Sequence, residues 1–237
     1  MHNIIDLYFL IEMFFKLIGY VPITLGLAIT SMIFASLFGF CVMIIRIKKI
    51  FILSTLADAY VLLGRALPTM VILYIVFFAV PIFMMFFSET TGKNINFNQV
   101  PAIVFAIIGL AICTSAYLAE AFRAAVQSID KGQMEAAYSV GMTWWQGFYR
   151  VVFRQAAVFA MPLMANQFLN LIKSTSIAFM ITVMELFGAA NVICSDNNRY
   201  LEVYIVVAFI YWAISLFFEN LFLVAENKLA FFKDGAN

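Results

Sequence analysis

Residues 21–45, VPITLGLAITSMIFASLFGFCVMII, pass without a single charged side chain. A helix crosses the ~30 Å hydrocarbon layer of a bilayer with about 20 predominantly apolar residues. In lipid each backbone N–H and C=O must be satisfied within the chain, so a segment of this kind is read as a helix. Four further apolar segments follow, at 66–87 with Pro68 and Pro81, at 100–118 with a continuation toward 125, at 156–190 with polar interruptions, and at 203–224. A membrane barrel requires short alternating strands, and these segments are continuously apolar. The expectation is an all-α integral membrane protein of about five transmembrane helices.

Composition supports the same class. Hydrophobic residues make up 65% of the 237 residues and charged residues 11%, against roughly 25% charged in soluble domains. A compact soluble body exposes too much surface to water to hide that much apolar area. Residues 1–237 therefore read as one membrane domain. Residues 4–18 fit a short amphipathic helix, so 1–19 is expected to lie at the membrane interface. Asp6, Glu12 and Lys16 interrupt its apolar run, and no basic stretch precedes it, unlike a cleaved signal peptide.

Several function classes are excluded. The net charge of +1 comes with no basic-aromatic face for nucleic acid. Cys41, Cys113 and Cys194 are far apart, and His2 is the only histidine, so no metal site of the usual His/Cys kinds and no Ser-His catalytic pair is expected. No GxxxxGK[ST] phosphate loop occurs, so no ATP, cofactor or catalytic site is assigned to the chain itself.

Basic residues orient the spans. Arg46, Lys48, Lys49, Arg65, Arg123, Lys131, Arg150, Arg154, Lys228 and Lys233 fall on one side, and Lys16, Lys93 and Arg199 on the other. By the positive-inside rule this places the N-terminus outside and the C-terminus in the cytoplasm. The largest hydrophilic stretch, around 130–154, is then cytoplasmic. It reads as two short helices separated by Gly141. Asp130 with Gln133 is expected to cap the first and Thr143 with Gln146 the second. Trp144, Trp145 and Phe148 make the second partly apolar, which suits either the headgroup layer or a partner protein.

The residues here resemble a known family. Glu135-Ala136-Ala137, three residues, then Gly141 resembles the signature loop of bacterial ABC-importer permeases. The series Tyr117-Leu118-Ala119-Glu120-Ala121-Phe122-Arg123, Ser128-Ile129-Asp130-Lys131-Gly132-Gln133, Met161 to Phe168, Leu171-Ile172-Lys173-Ser174-Thr175-Ser176 and Glu185-Leu186 is similar to the polar amino acid uptake branch, as is Tyr60-Val61 with Arg65 and Pro68. The resemblance covers about 20–229. It implies that the loop, through Asp130, Lys131, Glu135, Ala136, Ala137 and Gly141, seats in a groove of a cytoplasmic ATP-binding subunit. It further implies a second permease subunit, identical or paralogous, two ATPase subunits, an extracytoplasmic solute-binding protein and residence in the bacterial inner membrane. The family signature closes with Leu-Pro where this chain has Phe153-Arg154, which predicts a less sharply defined start of the fourth span or a longer lead-in helix. Ser174 stands where the family often has Asp or Asn.

The fourth segment carries the second polar feature. As one straight helix, 156–190 measures ~52 Å, well beyond the hydrocarbon layer. Lys173-Ser174-Thr175-Ser176 falls near its middle and is the expected break. Lysine at that depth costs ~2.5–3.5 kcal/mol, so it pairs, snorkels or faces a polar path. Lys173, Ser174, Thr175 and Ser176 are candidates for a carboxylate of a transported solute, with Glu185 for its ammonium and Asn166 facing the path or bridging helices. Glu120 is expected to pair with Arg123 one turn on. Ala35-x-x-x-Gly39 marks a close helix crossing. The expected function is the membrane-spanning subunit of an ATP-driven importer for a polar amino acid; a channel or secondary transporter for a small polar solute is the alternative.

Overall fold

The computed structural model describes residues 6–92 and 100–234, with side chains through Lys228. His2, Lys93 and the side chain of Lys233 lie outside the described residues. Every regular element described is helical: α1 (Leu7–Ile18), α2 (Val21–Lys48), α3 (Phe51–Ala66), α4 (Thr69–Thr91), α5 (Ala102–Gln127), α6 (Gly132–Ser139), α7 (Trp144–Gly147), α8 (Phe153–Ser174), α9 (Leu186–Asn197) and α10 (Tyr200–Asp234). A π-helical turn, Phe148–Val152, joins α7 to α8, and a 3₁₀ stretch, Thr175–Ile181, prolongs α8. By length and composition α2, α4, α5 and α10 each suffice to cross a membrane, and the bent unit from α7 to α9 makes a fifth.

The helices assemble around α5. α2 runs parallel to it: Ser31 Oγ reaches the Ile107 carbonyl at 3.5 Å, and Gly39 abuts Ser115 and Ala119 further along. A Cβ at Gly39 would sit 2.9 Å from the Ser115 carbonyl oxygen, so the Ala35/Gly39 pair does mark a crossing that admits no larger residue. α8 returns antiparallel, with Ala156 near Ala125 and Phe122, and Leu171 near Leu110. α10 descends along α8, where Phe168 meets Phe218 and Phe222 edge-on.

The stretch between the first two apolar segments is mostly helical. Only Lys49 and Ile50 separate α2 from α3. α3 and α4 then track α5 in one antiparallel register: Val61 joins Ala119, Gly64 meets Ala116, Thr69 meets Cys113, Leu73 meets Gly109 and Phe77 meets Phe105. Together they are one partner of α5, interrupted at Leu67-Pro68, where the backbone is extended. Proline lacks the N–H and disfavours helical geometry in the residue before it, which ends α3. α4 alone is long and apolar enough to be the second span, α3 leads into it along α5, and Arg65 lies beside Tyr117.

The chain passes along the bundle five times, so α1 and the end of α10 lie at opposite ends. We refer to the end carrying α6 and α7 as the loop end and to the other as the far end. At the far end α1 is docked on the protein: Met13 and Leu17 are buried among Leu186, Ala190, Val203 and Val207. Asp6 caps α1 by accepting from the Tyr8 and Phe9 N–H groups. Its carboxylate lies 3.6 Å from Arg199, which also bonds Glu202 at 2.8 Å.

The break in the fourth segment is displaced from its expected place. The helix changes from α to 3₁₀ at Thr175, but the chain turns only after Ile181, where Thr182 takes φ +67° and α9 leaves at 52°. Glu185 fixes that turn. It is fully buried, caps α9 through the Gly188 N–H at 2.8 Å, and accepts from Tyr211 Oη at 2.9 Å and Thr24 Oγ1 at 3.3 Å. Thr24 Oγ1 in turn accepts the Leu186 N–H at 3.1 Å. One carboxylate thus ties α2, α9 and α10.

We predict that Gly39→Leu lowers the thermal midpoint of the detergent-solubilised protein, reflecting at least the ~1–3 kcal/mol typical of overpacking. Gly26→Leu, where added atoms meet open space, is the matched control, and equal midpoints would contradict the close crossing. Glu185→Ala strips an acceptor from three buried donors, each worth ~1–3 kcal/mol when left unmade. Its midpoint should fall well below that of Glu12→Ala at the exposed face of α1.

Candidate functional site

The loop between α5 and α8 is built from local rules. Gly141 adopts φ +81°, a conformation open to glycine, and the Met142 N–H returns to the Ala137 carbonyl at 3.0 Å, closing the end of α6. Thr143 and Gln146 form the full reciprocal cap: Thr143 Oγ1 accepts the Gln146 N–H and Gln146 Oε1 accepts the Thr143 N–H. The corresponding cap on α6 is not formed. Asp130 lies one residue too early, so its carboxylate accepts the Gly132 N–H at 2.6 Å in a local turn. Gln133 instead accepts from Gln155 of α8 at 3.2 Å.

Ala136 and Ala137 divide the work expected of both. Ala137 is buried against Gly147, where a Cβ would stand 3.1 Å from its own, so its small size lets the loop close on itself. Glu135, Ala136, Tyr138, Val140 and Gly141 remain exposed and form the loop's outer surface. The tryptophans also divide. Trp144 stacks on Phe148 at 4.8 Å, while Trp145 is largely exposed. Lys48 Nζ, at the end of α2, lies 4.3 Å and 3.8 Å from the two indole centroids. Such cation–π contacts anchor the loop to α2. No proline interrupts the chain at Phe153-Arg154, and α7 runs through the π turn into α8 as one longer lead-in helix.

Asp130, Lys131 and Glu135 line a cleft of about 930 Å³ between the loop and the ends of α2, α3 and α5. At its edge Glu120 pairs with Arg123 at 2.6 Å, as expected from their spacing. It also receives Arg46 at 2.7 Å, and Arg46 bonds Asp58 at 2.6 Å. Nothing local in the sequence joins Arg46 to Glu120, because the two are brought together only by the parallel packing of α2 on α5.

The second polar feature lies on α8. Asn166, Asn170 and Lys173 recur at helical spacing and are all exposed. Lys173 makes no ion pair among the described residues. Beside them Gln167, Asn170 and Ser174 face Thr69, Thr114 and Tyr117 across a cleft of about 220 Å³. Asn170 and Gln167 are not among the residues expected on the path, although the 166–170–174 spacing signals one face. The hydroxyls of Ser174, Thr175 and Ser176 donate back to the carbonyls of Asn170, Ile172 and Lys173 at 2.9, 2.7 and 2.8 Å. A hydroxyl so engaged can still accept, and Ser174 lines the cleft. Thr175 and Glu185 are different: both are wholly buried and present no surface to a solute. Their expected place on the path is corrected, since Thr175 packs inward at the start of the 3₁₀ stretch and Glu185 serves the turn into α9.

The comparisons with known proteins follow the same outline. A family model described as the binding-protein-dependent transport system inner membrane component matches residues 43–230. The probable amino-acid permease protein YxeN of Bacillus subtilis is 40% identical over 95% of this chain and 98% of its own length. The L-cystine transport system permease protein TcyL of the same organism is 37% identical over 90% and 87%. A chain of an amino acid ABC transporter, crystallised with histidines, superposes with a TM-score of 0.80 at 28% identity, over 94% of this chain and 99% of that one. The family model covers most of the chain, and the chain belongs to the binding-protein-dependent transport system inner membrane component family, the permease subunits of ABC importers.

Proposed function

We propose that this permease carries a polar amino acid across the bacterial inner membrane, with the loop end in the cytoplasm. The exposed stripe Asn166–Asn170–Lys173 on a spanning helix carries the proposal. Facing lipid, the lysine alone would cost ~2.5–3.5 kcal/mol. The stripe is accounted for if a second permease subunit, identical or paralogous, covers this face and encloses a hydrated path. An amino acid presents an ammonium and a carboxylate. Lys173 with the Ser174 hydroxyl, and Ser176 beyond it, suit the carboxylate, and the amide oxygens of Asn166 and Asn170 suit the ammonium. The names of the relatives, an amino-acid permease and an L-cystine permease, support this substrate class.

Energy enters at the other feature. The outer surface of the loop, with Glu135, Ala136 and Gly141 exposed and Asp130 and Lys131 at its base, suits the groove of an ATP-binding subunit. Two such subunits hydrolyse ATP, and an extracytoplasmic binding protein delivers solute at the far end. The chain has no phosphate loop of its own.

Two outcomes test the reading. In vesicles holding the assembled importer, Glu135→Arg or Gly141→Asp is expected to abolish ATP-driven uptake while the permease stays inserted; normal uptake in both would remove the docking role. Lys173→Met should cut uptake about tenfold or more at sub-saturating solute, since a charged hydrogen bond contributes ~1.5–3 kcal/mol. Uptake driven by an ion gradient without ATP would instead favour a secondary transporter.

A further inference from the structure

Arg65 stands apart from the other basic side chains of the bundle. Its neighbours on α5 place it about 22 Å from the start of that helix, near mid-height. Its side chain is 47% exposed. The nearest carboxylate, Glu120, is 4.0 Å away and is already held by Arg46 and Arg123 at 2.7 and 2.6 Å. The guanidinium carbon lies 6.0 Å from the Tyr117 ring centroid, and Tyr117 Oη donates to the Arg65 carbonyl at 3.2 Å. The same Tyr117 forms a wall of the polar cleft with Thr114, Asn170 and Ser174. The Leu67-Pro68 interruption follows at the end of α3, and Thr69 just beyond it lines that cleft.

We infer that Arg65 is a specificity-determining residue that joins Lys173 in binding the carboxylate of the transported solute beside this cleft, an inference that rests on the amino acid reading above. A guanidinium offers five N–H donors in a planar fork that matches a carboxylate bidentately. The ion pair with Glu120 is too long to satisfy those donors, and a cation at this depth demands water or an anion. Thr69, Thr114 and Asn170 supply neutral donors and acceptors for the rest of a small polar solute. Tyr117 holds the arginine in place through its contacts on the carbonyl and beneath the guanidinium. The site selects solutes with a free carboxylate.

The test uses the complete importer in proteoliposomes with binding protein and ATP, offered a labelled mixture of the protein amino acids plus cystine. Arg65→Gln is expected to reduce uptake of the transported species about tenfold or more. Arg65→Lys, which keeps charge but not the fork, should recover part of it. ATPase activity without binding protein and co-purification of the ATP-binding subunits should stay within about twofold of the unaltered importer. Direct binding of the same labelled species to the solubilised importer, without binding protein, should weaken in the same order. Unchanged uptake and binding in Arg65→Gln overturns the assignment to Arg65 alone. Loss of subunit assembly or basal ATPase in parallel with uptake in both variants also overturns it, since Arg65 would then serve only the ion cluster around Glu120. If the unaltered importer takes up none of the labelled species, the amino acid reading fails and the carboxylate site fails with it.

Discussion

A helix that touches α2, α3, α4 and α8 together must be thin. α5 achieves this with Ala106, Gly109, Ala111, Cys113, Ser115, Ala116 and Ala119, all buried. Between apolar helices in lipid there is little hydrophobic drive to associate, so close van der Waals approach takes its place. The neighbours answer with small residues of their own at the tightest points, Gly39 on α2 and Gly64 on α3. Polar contacts then fix register: Tyr60 Oη on the Ile112 carbonyl at 2.7 Å, Ser31 on Ile107, and Arg46 on Glu120. Were α5 bulkier, neither the polar cleft beside Tyr117 nor the ion cluster at the loop end would keep its members within reach.

Hydropathy is a one-dimensional signal, and its successes and failures here follow from that. Segments of uniform apolarity, such as 21–45 and 203–224, are legible because lipid contact dominates them. Residues 51–66 are not, because Asp58 and Arg65 break the run, although Asp58 pairs with Arg46 on α2. A charge paired in three dimensions looks in sequence like a charge in a loop. The Thr143–Gln146 cap and the positive-φ turn at Gly141 were readable because their rules operate within a few residues. Thr24 and Tyr211, the partners of Glu185, lie on other passes of the chain, so no local pattern could distinguish a solute ligand from a structural cap.

The two polar features differ in how they are held. The loop is rigid by several independent means: a glycine turn, a reciprocal cap, stacked rings and two cation–π contacts from Lys48. The face of α8 is less constrained. Lys173 makes no ion pair among the described residues, and its neighbouring hydroxyls are turned toward their own backbone. A stiff element at one end of a continuous helix and an open polar face along it are suited to transmitting displacement rather than to making or breaking bonds.

The π turn at Phe148–Val152 gives this connection a further property. A π turn accommodates one residue more than the α-helical repeat around it. Each residue of an α-helix advances the azimuth by about 100°. The angular setting of Asn166, Asn170 and Lys173 relative to the loop is therefore fixed by a single surplus residue. Redistributing that surplus along the rod would rotate the polar face about the helix axis without lengthening the helix, converting a push at the loop into torsion.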